Sequence, residues 1–327
     1  MSATSAILCY GDSTALQASG DAAVNVARGR IHFSRGKFSF AGSSALSLAG
    51  GNSQNGFYLG DSDTVNRKAT LTVSDAANVD LSGAWFVQLG SKSNAYPSES
   101  VLNVNGGKLT LGYHNVIGAG VNRSELSIGG GATVRVPYVG LSIGSPYCVS
   151  SNFGANGSGC FATGVVSVAN GTLANEGDGN NADWGSDRMA GLIVGNGTVP
   201  LSSGAWFSGR LNVGDGAFVT NGPCPVVVGI GLGEGKVVQT GGAVVSTGTY
   251  GLSQDGGPRG SWEAKPVVIG AFGGRGGGIR DDGRYVDIRG GGVRRRHRVQ
   301  PVLSHVPDPV GGLQPSAGEG APVRAGR

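Results

Sequence analysis

Charged residues are scarce in this chain, making up 14% of its 327 residues, against roughly 25% in ordinary soluble domains. Cysteine (4) and methionine (2) are rare too. No two cysteines have the close spacing of a zinc ligand set, so we expect no metal site. No apolar run approaches the roughly 20 residues of a membrane helix, so we expect no membrane span within this chain. Sustained 3.6-residue periodicity is also missing, which predicts few helices.

Glycine, in contrast, is abundant, with 63 of 327 residues, or about 19% against a usual share of roughly 7%. The glycines do not fall at every third position, which excludes a collagen triple helix. The hydrophobic share of 39% is enough to fill a long and thin core. Together with short Val, Leu and Ile pairs, this composition favours a regular β stack over disorder.

Two sequence patterns alternate along the chain. The first is an apolar-polar-apolar triplet, a small or Gly/Asn/Asp turn and another apolar pair, and its copies start at residues 71, 102, 126, 166, 211 and 237. The second is a short apolar run closed by glycine, found at residues 57–60, 86–90, 116–118, 141–144, 192–195 and 226–229. Recurrence on this scale predicts a stacked solenoid.

The spacing of the copies is uneven. The two longest steps, from 126 to 166 and from 166 to 211, require either inserted loops or a missed copy. We interpret the Gly/Asn/Ser/Asp-rich segments 147–164 and 175–187 as loops that protrude from the stack. In each strand, the apolar side chains of the triplet would face inward, and eight or nine turns about 4.8 Å apart would span roughly 40 Å.

The alternation of the two patterns resembles the autotransporter-associated β-strand repeats of large bacterial surface and secreted proteins, over roughly residues 40–250. The resemblance implies an all-β, right-handed parallel β-helix of the kind used in adhesin-like passenger regions. We therefore expect a β-solenoid over residues 1–255, with the first 40 or so residues less regular. We also expect the chain to be a fragment, secreted or at the bacterial cell surface, whose export signal lies upstream.

Residues 256–327 differ in composition and are predicted to be a disordered, low-complexity basic tail. Eleven of the 19 arginines lie at or beyond Arg259, including the run 294–298. A basic arm for nucleic acid or an acidic polymer is the alternative interpretation. Because no aromatic residues are interleaved with the arginine run 294–298, we do not expect nucleic acid as a partner.

Three sets of residues are candidates for chemistry. Asp178, Asp183 and Asp187 share a loop with Trp184, where a sugar could stack on the indole while a carboxylate binds its hydroxyls. Cys148 and Cys160 could close the loop between them by a disulfide in an oxidising compartment, or be two unrelated thiols. The Gly-rich segment 229–235 has Glu234 where a dinucleotide loop needs glycine, so we expect no cofactor.

The frame Ser-Gly-Ala-Trp-Phe occurs twice, at 82–86 and 203–207. It could form an aromatic strip for glycans, but its repetition favours core packing at equivalent positions of two turns. The sequence as a whole predicts a non-catalytic structural or adhesive solenoid that presents loops to glycans or surface polymers. The alternative is a carbohydrate-active β-helix enzyme, a polysaccharide lyase or hydrolase, that uses the Asp178, Asp183 and Asp187 loop.

Overall fold

In the computed structural model, the described residues all lie in one compact unit within residues 1–291. The structure describes residues 2–3, 6–11, 13–50, 52–60, 67–90, 98–119, 122–145, 161–177, 191–197, 206–224, 226–231, 233–246, 267–271, 276–281 and 284–288. All regular structure in these residues is β-strand, as the lack of helical periodicity predicted. They include no helix able to cross a membrane.

The strands are short and follow one another closely along the chain. They are β1 (Ser2–Ala3), β2 (Ala6–Cys9), β3 (Ala15–Ala18), β4 (Ala23–Val26), β5 (Arg30–Phe33), β6 (Gly36–Phe40), β7 (Ala45–Leu48), β8 (Asn52–Leu59), β9 (Arg67–Asp80), β10 (Ala84–Gly90), β11 (Ser98–Thr110), β12 (His114–Ala119), β13 (Asn122–Gly129), β14 (Thr133–Val136), β15 (Gly140–Ser145), β16 (Phe161–Val168), β17 (Thr172–Asn175), β18 (Gly191–Gly197), β19 (Trp206–Val213), β20 (Phe218–Asn221), β21 (Val226–Gly231), β22 (Gly233–Gln239), β23 (Ala243–Ser246), β24 (Val267–Ala271), β25 (Gly276–Asp281) and β26 (Arg284–Ile288).

The strands form two parallel sheets, one of 17 strands and one of nine. The chain visits them in a fixed order: two strand segments in the larger sheet, then one in the smaller sheet. We call each such segment a unit; β13, β14 and β15 make one unit, whereas the long strands β9 and β11 supply both segments of the larger sheet in theirs. Each strand pairs in parallel with the corresponding strand of the next unit. Among the described strands, β25 and β26 form the one antiparallel pair.

The apolar positions of the first pattern lie in one register and form the core. Leu71, Leu102, Leu126, Val166 and Leu211 are successive partners in the larger sheet and are fully buried. The second apolar position of the triplet behaves in the same way, with Val73, Val104, Ile128, Val168 and Val213. Alternation along a strand sends these side chains inward and the polar residue between them outward.

This register shows whether the two long steps between copies contain inserted loops or a missed copy. Leu126 pairs with Val166, and Val166 pairs with Leu211, so no copy is missing from the two long steps. The extra residues of the two long steps lie between strands, and the pairing of those strands is unchanged. Their number varies because loop closure costs only slightly more free energy as a loop lengthens.

The N-terminal residues are more regular than the sequence predicted. Strands β3 to β8 form two complete units over residues 15–59, and Leu16 and Phe38 continue the register of Leu71. The apolar positions in these units are often phenylalanine, which hides the Leu-x-Val pattern. Phe33 and Phe38 stack with ring centroids 4.0 Å apart inside the core.

Strand pairing continues past the predicted boundary at residue 255. Strand β24 pairs with β21 through Val226 and Val267, and β25 pairs with β22, so both sheets continue past that residue. The segment Val267-Val268-Ile269-Gly270 is a further copy of the glycine-closed apolar run, surrounded by arginine-rich sequence that obscured it. Within the predicted tail, Val267–Ala271, Gly276–Asp281 and Arg284–Ile288 are thus strands, and residues 289–327 lie outside the described residues.

Buried asparagines hold the corners between strands. Asn115 stands in the register of Val87 and Leu141 and is fully buried. Its amide donates to the carbonyl oxygens of Gly112 (2.9 Å) and Gly140 (2.8 Å), and its oxygen accepts from the backbone N–H of Gly112 (3.0 Å). A buried amide that makes these bonds avoids the cost of an unpaired polar group and ties two units together.

The glycine that closes the second pattern is required by geometry. Gly90, Gly118, Gly144, Gly195 and Gly229 all have φ between 66° and 112°, a region that disfavours side chains. There is also no room for one, because a Cβ on Gly144 would overlap the backbone carbonyl of Ser208. Gly209, which follows Ser208, has no room for a side chain either. A Cβ at this position would overlap the carbonyl of Ile143, the residue before Gly144.

Replacing Gly144 by alanine should therefore cost more than its backbone angle alone explains. Gly131→Ala is the matched control, because Gly131 has φ 78° but no atom within 4 Å of an added Cβ. We expect Gly131→Ala to lower the free energy of unfolding by about 1–2 kcal/mol. Gly144→Ala should lower it by a further roughly 1–3 kcal/mol, from the steric overlap. Urea denaturation measures both; equal losses would show that the corner is not tightly packed.

Candidate functional site

The residues singled out from the sequence as a site lie outside the described residues. This applies to Asp178, Asp183, Trp184 and Asp187, and to the cysteines Cys148 and Cys160. Of the other two cysteines, Cys9 is a free thiol whose pKa is raised by burial, and Cys224 is fully buried. Within the ranges that the structure describes, no group of three His, Cys, Asp or Glu side chains could hold a metal ion.

Three aromatic side chains from consecutive units stack at the corner where the chain passes from the larger sheet to the smaller one. The Trp85 and Tyr113 ring centroids are 5.1 Å apart with planes 26° apart. Tyr113 and Tyr138 are nearly parallel, at 4.1 Å and 7°. All three side chains are half-buried. We call this stack of Trp85, Tyr113 and Tyr138 the aromatic corner.

The parallel ladder places these rings above one another. Asp80, Thr110 and Arg135 are successive partners in the larger sheet, and the aromatic residues follow them by three to five positions. The N–H of Tyr113 donates to the carbonyl oxygen of Ala84 at 2.9 Å, which ties its corner to the one before. Strands about 4.8 Å apart bring side chains at matching positions close to stacking distance.

A shallow open groove of about 450 Å³ runs beside the aromatic corner. It crosses from the unit that contains Gly50 to the unit that contains Tyr138, and its polar and aromatic lining residues are Ser47, Asp80, Ser82, Tyr113 and Tyr138. Asp80 is the one charged side chain in this lining. Its Oδ1 accepts from the N–H of Ser82 at 2.9 Å, and no other described residue donates to it.

A charged pair lies close to the groove. The Arg135 guanidinium donates to both carboxylate oxygens of Glu176, with Nε at 2.9 Å and Nη2 at 2.7 Å. The hydrogen bond to Glu176 and the charge of that residue raise the pKa of Arg135. Electrostatic interactions with Tyr138 and Asp80 raise it to a lesser degree. Both side chains are about half-exposed, so the pair contributes little to stability. The Arg135 guanidinium is nevertheless engaged, because its Nε and Nη2 donate to Glu176.

A buried histidine packs against the aromatic corner. His114 is 2% exposed. It packs edge-on against Trp85, with ring centroids 5.3 Å apart, and its ring is tilted against that of Phe86, with centroids 5.1 Å apart. No hydrogen-bond partner for its Nδ1 occurs in the described part of the chain. Burial lowers the pKa of His114 to about 4, so the ring is neutral at neutral pH.

The two Ser-Gly-Ala-Trp-Phe frames do not occupy equivalent positions. Trp85 and Phe86 lie in β10 of the smaller sheet and are half-buried, so the prediction that they fill the core is wrong. Trp206 and Phe207 lie in β19 of the larger sheet, where Phe207 is fully buried as predicted. Gly83, two residues before Trp85, lies where a Cβ would overlap the Leu48 carbonyl.

The sequence analysis missed Tyr113 and Tyr138. Each follows the last inward apolar residue before the corner by two positions, Leu111 in one case and Val136 in the other. Aligning the copies on these apolar residues would have placed both tyrosines in one column. The copies were instead aligned on the first pattern alone, which ends before the corner.

Comparison with known proteins adds no further information on the site. Neither the family models, nor the curated proteins, nor the solved structures yield a match to this chain.

The buried His114 makes stability depend on pH. In the unfolded chain its pKa is about 6.5, so the unfolded state binds a proton that the folded state does not bind until about pH 4. Stability should therefore fall as pH drops from about 6.5 to about 4, by at most roughly 3 kcal/mol. Urea denaturation across this range should show a smaller fall for His114→Phe than for the unmodified chain. An identical pH dependence would mean that the buried imidazole is not what titrates.

Proposed function

We propose that this chain is a non-catalytic structural or adhesive β-solenoid of a bacterial surface or secreted protein, and that it binds glycans or other surface polymers. In this proposal the two parallel sheets are the walls of a right-handed parallel β-helix, in which each unit is one turn. The observation that supports it most is the unbroken parallel register from β3 to β22 in the larger sheet. Pairing each strand with the same strand of the next unit is what a coil of the chain requires.

The mechanism is geometric. Nine strands in the smaller sheet at about 4.8 Å spacing make a stack roughly 38 Å long, stiffened by backbone hydrogen bonds between neighbouring units. A stack of this kind presents the same corner many times along one line. Several weak contacts to a repeating polymer then add up to useful avidity, without a deep pocket.

The outward face of the larger sheet suits such a partner. From β6 to β19 its central outward column consists of small polar side chains, and Asn212 donates to the Ser167 hydroxyl at 3.1 Å. These residues, in register from one unit to the next, are Ser39, Thr72, Asn103, Ser127, Ser167 and Asn212. Hydroxyl and amide groups in a regular row favour a hydroxyl-rich surface over an apolar one.

Incubation with immobilised polysaccharides tests this proposal. We expect the full chain to be retained on at least one neutral glycan, because the groove and the polar column offer hydrogen-bonding groups and little charge. We expect no release of reducing ends, since a non-catalytic chain leaves the polymer intact. Release of oligosaccharide products, abolished by Asp183→Ala, would contradict the proposal and favour the lyase or hydrolase alternative.

A further inference from the structure

We infer that the groove beside the aromatic corner is a binding subsite for a linear, uncharged glycan. This inference rests on the proposed function and names the site and the class of ligand. It starts from the direction of the groove, which crosses four successive units between Gly50 and Tyr138. Three steps of about 4.8 Å make it roughly 14 Å long, which suits a segment of a chain better than a single compact molecule.

The aromatic corner supplies a rigid wall. Trp85 covers one face of the Tyr113 ring and Tyr138 covers the other, so Tyr113 offers the groove its edge and its hydroxyl. Rings packed in this way lose little conformational entropy on binding, because their rotamers are already restricted. His114 packs against Trp85, and Phe86 packs against His114. These contacts support the stack.

The polar groups of the groove match a set of neighbouring sugar hydroxyls. Asp80 retains acceptor capacity, since the N–H of Ser82 is the one described donor to it. The hydroxyls of Tyr113, Tyr138 and Ser82 can each donate and accept. Ser47 donates to Asn25 Oδ1 at 2.7 Å and keeps its lone pairs as acceptors. A hydroxyl-rich ligand can use both donors and acceptors here.

The charges of the site select against acidic ligands. Asp80 carries the one charge in the groove lining that the structure describes, and Arg135, whose charge interacts with that of Asp80, already binds both oxygens of Glu176. A uronate or a phosphate would meet a carboxylate, with no cation in that lining to compensate it. Neutral hexose chains carry no such penalty.

Isothermal titration of the full chain with defined oligosaccharides tests the inference. The probes are hexasaccharides of glucose, mannose and galactose, with a galacturonate hexamer as the acidic counterpart. Asp80→Asn keeps the shape of the side chain and removes its charge, and we expect it to weaken binding of the neutral probe about tenfold to hundredfold. Tyr138→Phe removes one hydroxyl and should weaken binding by a few-fold.

Asp21→Asn is the matched control, because it makes the same chemical change on an exposed turn away from the groove. Thermal unfolding of each variant verifies that the fold is kept. A neutral probe that binds equally well to the unmodified chain, Asp80→Asn and Tyr138→Phe would overturn this site but leave the proposed function standing. A preference for galacturonate, strengthened in Asp80→Asn, would overturn the assignment to uncharged glycans. No binding of any probe would overturn this site.

Discussion

Parallel pairing of each strand with the same strand of the next unit is the constraint on which the rest of the structure depends. It fixes the distance between equivalent residues and leaves no freedom in register, because a slip of one residue would turn the apolar column outward. The inward column from Leu71 to Leu211 follows from it. The corner glycines follow as well, since backbone at this spacing leaves no space for a Cβ at Gly144 or Gly209.

The repeating part of the fold could be predicted because its cause is local. Period-two alternation and glycine at positive φ are properties of a few consecutive residues, so Leu102 and Val104 are recognisable without any structure. Phe38 and Phe40 occupy the same positions but belong to a different residue class, which explains why the sequence predicts less regularity over the first 40 or so residues. Val267 was missed for another reason, since the arginines around it dominate the composition of that segment.

The aromatic corner could not be predicted in this way. Tyr113 and Tyr138 are 25 positions apart, and only the register of β11 with β14 makes them neighbours. The recurrence of its frame favours a core position for Trp85, yet in the second copy Trp206 and Phe207 begin a strand of the other sheet. Short sequence frames do not determine which sheet a strand joins, whereas the neighbouring strands do. Functional surfaces on such a fold are therefore properties of the stack and not of a motif.

The connections from the smaller sheet back to the larger one differ widely in length while the pairing on both sides stays the same. Two residues, 120–121, separate β12 from β13, whereas fifteen residues, 146–160, separate β15 from β16. New sequence can thus enter at this corner of the molecule at little energetic cost. During evolution, a lineage could exchange or lengthen these segments and acquire new specificities, while the hydrogen-bonded framework that carries them remains under separate selection.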